Sequence, residues 1–273
     1  MLAPWTTAAR AAGIVVTLPP LAGLVRLLDD GADVRCLLPP GADAHDFQLA
    51  PSQADALARA SLLVRTSRDD GHWRGLRAVR TLDLWPETDH AWLLPSEVRA
   101  ALPRLARELE RLAPERRPRI ETRLARALKQ VDDIEAAWRA ALAPLIGRGV
   151  VMEHPAWRRL AERFGMPVLA VLEPSHHGGV RPRRLEEALT LLRERPGVML
   201  WGDARHANRA LAWLSRRAGN RPVLMLDALG ACGQPWTELM QANIARVTSF
   251  SRHMRHVGRQ PRQKPLDATG GER

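Results

Sequence analysis

The N-terminal part of the chain alternates short apolar runs with helix-like patterns. Strand-like runs lie at 13–18, 34–38, 62–64 and 80–84, and apolar residues at helical spacing fill 21–28 and 52–60. Alternating strands and helices are typical of a parallel sheet whose strands are joined by crossover helices. The pattern therefore predicts an α/β lobe.

The C-terminal part repeats this organisation. Four further apolar runs, at 149–152, 168–171, 198–201 and 223–226, predict strands, and the intervening stretches 156–164, 184–193 and 207–217 predict helices, followed by a last helix at 236–247. The two parts predict two similar lobes, each a mostly parallel sheet with helices on both faces.

The stretch from Ser96 to Leu145 contains no strand-like run. Its apolar residues recur at spacings of three and four among many Glu and Arg, with interruptions at Pro114 and Pro118. This predicts a long helical connector, which is typical of a binding protein whose lobes move little, although an ordinary helical insertion would give the same pattern. The predicted divisions are a first lobe at 1–95, the connector at 96–146, a second lobe at 147–250 and a basic disordered tail at 251–273.

Composition narrows the class of protein. The chain has 273 residues and 45% apolar residues, enough for substantial cores, and no run of about 18 apolar residues that would span a bilayer. Its net charge of +11 comes almost entirely from Arg that alternates with Glu and Asp, and aromatic residues are 4% of the chain. Because aromatic residues do not interleave with the basic ones, we expect no nucleic-acid partner.

Two features of composition leave questions open. Cys36 and Cys232 form no disulfide framework or zinc knuckle, and whether they bond to each other cannot be read from the sequence. His253 and His256 in the basic tail are expected to be solvated. The start of the chain is expected to lack a complete signal peptide, although small residues at 8–12 resemble the end of one.

Four metal-capable residues follow predicted strands. His45 lies after the second strand in PPGADAHDFQ, His90 after the fourth in HAWLLP, His154 after the first strand of the second lobe in VVMEHPAW, and Asp227 after its fourth in LMLDALG. Ligands of open α/β sheets bind beyond the carboxyl ends of the strands. Three imidazoles and one carboxylate suit a tetrahedral zinc site, so these residues predict a metal ion between the lobes.

The same motifs resemble a known family. VVTLPPLAGLV, LLPPGADAHDFQLAPSQADAL, HAWLLP, LAPLIGRGVVMEHPAWRRLAERFGMPV and VLMLDALG are similar to segments of the zinc and manganese solute-binding proteins of bacterial ABC importers, the ZnuA/TroA-like family. The resemblance covers about residues 14–250. It implies that His45, His90, His154 and Asp227 are the metal ligands, the same four residues that the strand-end argument selects.

The resemblance also implies a function. The protein is expected to bind Zn²⁺, with Mn²⁺ as the alternative cargo, and to deliver it to an ABC permease in the inner membrane without catalysing a reaction. We expect a periplasmic monomer, the location being inferred from the family alone. Imidazole at the His154 position favours zinc, whereas relatives tuned to manganese tend to have a carboxylate there.

Some residues depart from the family. Asp203, in LWGDARHA, stands where the family commonly has Glu, and it is expected to orient a ligating imidazole. His176 and His177, in EPSHHGG, are expected to be a solvated pair, with an accessory metal site as the alternative. His72 is the only histidine near the place of the His-rich loop of some zinc-specific relatives.

Three other functions stay open from the sequence. A zinc enzyme would keep an open coordination position, which four protein ligands do not leave, and this alternative returns if Asp227 does not bind the ion. A basic nucleic-acid-binding protein would associate in a salt-sensitive way. A degenerate relative with weak metal binding would act as an adhesin or chaperone.

Overall fold

Two parallel four-stranded sheets organise the described part of the chain. The computed structural model describes residues 13–42, 44, 47–66, 76–173 and 179–257. The first sheet has the strand order β2-β1-β3-β4 and the second has the order β6-β5-β7-β8. The strands are β1 (Ile14–Val16), β2 (Val34–Cys36), β3 (Leu62–Arg65), β4 (Thr81–Asp83), β5 (Val150–Met152), β6 (Val168–Val171), β7 (Met199–Asp203) and β8 (Val223–Leu226).

The two sheets share one topology. In each, the first strand along the chain pairs in parallel with the next two, and the fourth strand extends the edge beside the third. All strand residues of β1, β5 and β7 are buried, as expected for strands covered on both faces. The predicted α/β fold with two similar lobes is therefore confirmed.

The helices begin where prolines permit them. Proline occupies one of the first two positions of five helices, where its missing N–H has no helical partner in any case. The crossover helices are α1 (Pro19–Leu28), α2 (Pro51–Ala58), α5 (Arg158–Arg163), α6 (Pro182–Glu194) and α7 (Arg209–Arg217).

The predicted helical connector is present, as two helices. The first, α3 (Pro95–Leu112), ends before a 3₁₀ turn at Pro114–Arg116, and the second, α4 (Arg117–Leu142), continues to a second turn that reaches Leu145. Pro114 explains the break, because the residue before a proline is driven out of helical geometry. Pro118 lies within the first turn of α4 and is tolerated there.

The last helix returns to the first half of the molecule. This helix, α8 (Trp236–Val257), packs against both α4 and α1. It continues past Ser251, so the predicted disordered tail is wrong for residues 251–257. Residues 258–273 lie outside the described part. No helix among the described residues is both long and apolar enough to cross a bilayer.

One hydrophobic core joins the two lobes. It runs from β1 and α1 through the connector helices to β5 and α8, and a separate, smaller core lies beneath α6 and α7. Two buried hydrogen bonds cross between the halves: the Trp92 indole donates to the Ala228 carbonyl at 2.8 Å, and the Trp236 indole donates to the Trp92 carbonyl at 2.8 Å. This continuous packing favours small relative motion of the lobes.

A disulfide also joins the two halves of the molecule covalently. Cys36, at the end of β2, bonds to Cys232, in the loop between β8 and α8, across 196 positions of sequence. The Cα atoms lie 6.1 Å apart, within the usual range for a disulfide. The pairing that the sequence left open is thus present.

Candidate metal centre

Loops from both lobes meet beyond the carboxyl ends of the strands. His90 follows β4 of the first sheet, and His154 follows β5 of the second. Their imidazole rings lie edge to face with centroids 5.2 Å apart. Two of the predicted ligands, one from each lobe, are therefore neighbours.

His90 has an unusual backbone. Its φ of 52° is in the left-handed region, and it precedes the 3₁₀ helix Ala91–Leu93. Residues other than glycine seldom adopt this region, and when they do they cluster at functional sites. The buried Trp92 that follows, bonded to Ala228, anchors the turn that presents His90.

His154 is held from both sides of the turn after β5. Its Nδ1 accepts the backbone N–H of Ala156 at 3.2 Å, which sets the rotation of a ring that is only 7% exposed. The preceding Glu153 is also buried, and its carboxylate accepts the first N–H groups of α7, from Ala210 and Leu211. That carboxylate thus stabilises the start of a helix.

A third histidine completes the cluster, and the sequence analysis did not select it. His206 stacks on His154, with ring centroids 4.7 Å apart and planes 17° from parallel. Asp203, the last residue of β7, lies beside both. One donor atom from each of His154, Asp203 and His206 falls within 4.8 Å of the other two. The motif DARH after a strand was the available signal, because it puts a second donor three residues beyond Asp203.

The turn that carries His206 is braced by Asn208. The Asn208 side chain donates to the carbonyls of Asp203 and His206, both at 2.5 Å, and accepts the N–H of Asp203 at 3.2 Å. Gly202 permits this approach, because a Cβ there would lie 2.5 Å from the Asn208 Oδ1. The Asp203 carboxylate also accepts the N–H of Arg205 at 2.8 Å, so the turn is rigidly built.

Asp227, the predicted carboxylate ligand, is engaged by Arg205. The guanidinium donates from Nε to Oδ1 at 3.1 Å and from an Nη to Oδ2 at 3.3 Å. Oδ1 also accepts the N–H groups of Leu229 at 3.0 Å and Gly230 at 2.9 Å. Arg205 is itself fixed by a hydrogen bond to the Gly230 carbonyl. The Asp227 side chain thus accepts four hydrogen bonds from this loop and Arg205.

These contacts determine the charge state of Asp227. Burial alone would raise the pKa of its carboxyl group. Hydrogen bonds from Gly230, Arg205 and Leu229, together with the positive charge of Arg205, outweigh burial and hold that pKa below its ordinary value. Asp227 is therefore an ionised and paired carboxylate.

A cleft leads from the surface to His90. It has a volume of about 450 Å³ and is lined by Asp89 and His90 from the first lobe and by Pro155, Arg158, Arg159 and Glu162 from the second. Arg159 and Asp89 approach to 3.7 Å across it. The cleft offers an ion a polar route to the His90 imidazole.

Several predicted residues lie outside the described part of the chain. His45 is among them, as are His72, His176 and His177. The side chain of His256 is likewise outside it, whereas His253 is exposed on α8, in agreement with its expected solvation. Their predicted roles, including the metal ligand at His45, stay predictions.

The chain matches known sequences over most of its length. The family described as "ZnuA: Zinc-uptake complex component A periplasmic" matches residues 14–249. A Thermotoga maritima protein whose name describes it as metal-binding is 27% identical over 246 residues, covering 86% of this chain and 91% of that protein. The high-affinity zinc uptake system protein ZnuA of Paracoccus denitrificans is 23% identical over 281 residues, covering 81% and 85%.

The fold matches solved structures as well. The laminin-binding protein of Streptococcus agalactiae, described as having adhesin and metal-transporting activity, superimposes with a TM-score of 0.78 and 19% identity. The match covers 89% of this chain and 100% of that one. At this identity the likeness establishes the fold alone.

Proposed function

The chain belongs to the zinc-uptake complex component A family, and on that premise we propose that it captures Zn²⁺ between its lobes for delivery to an ABC permease. The observation that carries the proposal is the meeting of His90 and His154, whose rings come from different lobes and lie 5.2 Å apart. An ion bound by both imidazoles would link the two lobes across the cleft.

The donors favour zinc over manganese. Neutral imidazole is a ligand of intermediate softness that suits Zn²⁺, whereas Mn²⁺ prefers carboxylate, carbonyl and water oxygens. We propose that His90 and His154 bind the ion together with the predicted ligand His45. The ligand at Asp227 stays a prediction, because its carboxylate is engaged by Arg205.

The chemistry of binding proteins supports capture without catalysis. The family is one of solute-binding transport proteins. A catalytic zinc usually has three protein ligands and an open position for water or substrate, and a fourth protein ligand beside His45, His90 and His154, predicted from the sequence at Asp227, would fill that position. We therefore propose that the protein binds and releases the ion without covalent chemistry.

The proposed location is the periplasm. Members of the family are periplasmic binding proteins. The disulfide between Cys36 and Cys232 supports the same compartment, because disulfides form and persist in oxidising environments outside the cytoplasm. The proposed partner is a membrane permease, which a monomer would meet with both lobes.

Calorimetric titration of metal-stripped protein tests the proposal. We expect one Zn²⁺ per chain, bound more tightly than Mn²⁺. His154→Ala should weaken zinc binding by about 100-fold or more, because it removes an imidazole from the cleft. His253→Ala is the matched control: the exposed His253 lies about 25 Å along α8 from Trp236.

The two variants distinguish zinc binding in the cleft from zinc binding elsewhere on the protein. Loss of zinc affinity in His154→Ala with wild-type affinity in His253→Ala would support the cleft site. Equal losses in both variants, or no saturable zinc binding by the wild type, would contradict the proposal. Tighter binding of Mn²⁺ than of Zn²⁺ would overturn the choice of metal alone.

A further inference from the structure

We propose that His206 is a ligand of the captured ion and takes the coordination position predicted for Asp227. The inference rests on the proposed function and deepens it, because it defines which donors select the metal. It is carried by the cluster of His154, Asp203 and His206 and by the ion pair that engages Asp227.

The first step is geometric. Donor atoms of His154, Asp203 and His206 lie within 4.8 Å of one another. Ligands around a tetrahedral zinc, with bonds of about 2.0–2.2 Å, are separated by about 3.4 Å. A contraction of roughly 1.5 Å or less, within the reach of side-chain rotation, would close the His154 and His206 nitrogens on one ion, with Asp203 beside His206. His90 lies against His154 and adds a further imidazole.

The second step concerns the support of His206. Asn208 holds the carbonyls at both ends of the turn from Asp203 to His206, and the His206 Nδ1 lies 3.8 Å from the Asp203 carboxylate. Metal-binding histidines commonly have a carboxylate beside the ring nitrogen that faces away from the metal, and such a partner orients the ring. At 3.8 Å the Asp203 carboxylate is beyond hydrogen-bond distance of this nitrogen, and it would orient His206 by closing that gap when the ion binds. This is the kind of role predicted for Asp203 from the sequence.

The third step concerns Asp227. Its carboxylate would have to leave Arg205 and the N–H groups of Leu229 and Gly230 to bind the ion. Breaking charge-assisted hydrogen bonds is costly, since each is roughly twice as strong as a neutral one. Arg205 and His206 are adjacent in sequence, so one turn withdraws the carboxylate and supplies an imidazole.

Binding by His206 in place of Asp227 would change which metal ions the site prefers. Replacing a carboxylate oxygen with an imidazole nitrogen makes the ligand set poorer in the oxygen donors that Mn²⁺ prefers. The site should accept zinc and other cations that bind nitrogen well, and it should discriminate more strongly against manganese than a site with a ligating carboxylate.

Zinc titrations of His206→Ala and Asp227→Asn, followed by zinc-edge X-ray absorption, test the assignment. We expect His206→Ala to weaken zinc binding by about 100-fold and Asp227→Asn by less than about 10-fold. Asn at position 227 can still accept hydrogen bonds from Leu229 and Gly230. The absorption spectrum of zinc-loaded His206→Ala should show one imidazole fewer than the wild type, and added imidazole should restore part of the affinity.

The outcomes are distinct. If His206→Ala bound zinc as tightly as the wild type and its absorption spectrum showed the same number of imidazoles, this assignment would be overturned and the proposed function would stand. A large loss in Asp227→Asn with little loss in His206→Ala would return the position to the carboxylate. Absence of zinc binding by the wild type would overturn the proposed function and the assignment with it.

Discussion

Trp92 provides a measurable link between the lobes. Its indole N–H donates to the Ala228 carbonyl at 2.8 Å in a buried site, and Trp92 itself is 3% exposed. Trp92→Phe keeps an aromatic ring but leaves that carbonyl without this donor. A buried polar group that loses its partner costs about 1–3 kcal/mol of folding free energy, in addition to the cost of the smaller ring.

Trp138→Phe is the matched control. Trp138 is also fully buried, but its indole N–H has no hydrogen-bond partner among the described residues. The same substitution there removes ring volume without removing a hydrogen bond. Trp92→Phe should therefore show the larger loss of stability, because it alone leaves a buried carbonyl without this donor.

The assay is urea unfolding of the metal-free protein, with the free energy of unfolding extrapolated to water. We expect Trp92→Phe to lose about 1–3 kcal/mol more than Trp138→Phe. Zinc affinity should also fall in Trp92→Phe, because Trp92 anchors the turn that presents His90. Equal losses of stability in the two variants would refute the reasoning.

Other predictions follow from the site and the disulfide. Zinc affinity should fall as the pH is lowered from about 8 to about 5, because imidazoles must be neutral to bind the ion; an affinity that stays constant in calorimetry would contradict imidazole ligation. Gly202→Ala should weaken zinc binding in the same assay, since its Cβ would displace Asn208. Replacing Cys36 and Cys232 by Ser should lower the free energy of unfolding in urea by about 2–5 kcal/mol. The lowered pKa of Asp227 stabilises the fold above the ordinary carboxyl range, and this stability is lost as the pH falls through that pKa. Asp227→Asn should therefore show a weaker loss of stability in acid, as measured by thermal unfolding.

The sequence predicted the features that follow from the spacing of apolar residues and from the position of polar residues after predicted strands. Apolar runs between helical patterns predicted all eight strands of the two sheets. The rule that ligands bind at the carboxyl ends of strands selected His90 in the first lobe and His154 in the second, and their rings are neighbours. Proline marked the break in the connector. These features depend on local backbone preferences, which neighbouring residues determine.

The features that the sequence did not reveal depend on contacts across the fold. Arg205 follows β7 and Asp227 follows β8, and only the pairing of these strands brings the guanidinium onto the carboxylate. In an Arg-rich chain nothing distinguishes Arg205 locally. The helical residues beyond Ser251 were missed for a similar reason, because α8 is stabilised by packing against α4 and α1.

The disulfide makes most of the polypeptide a closed covalent ring. Every peptide bond between Cys36 and Cys232, including those of the exposed connector surface, lies within that ring. A single proteolytic cut there would open the ring without releasing a fragment, so the nicked protein would run as one species until a reductant separated it into two. Ring closure also has to wait until the chain has been delivered through residue 232, and the first lobe reaches its covalently completed form only after nearly all of the second has arrived.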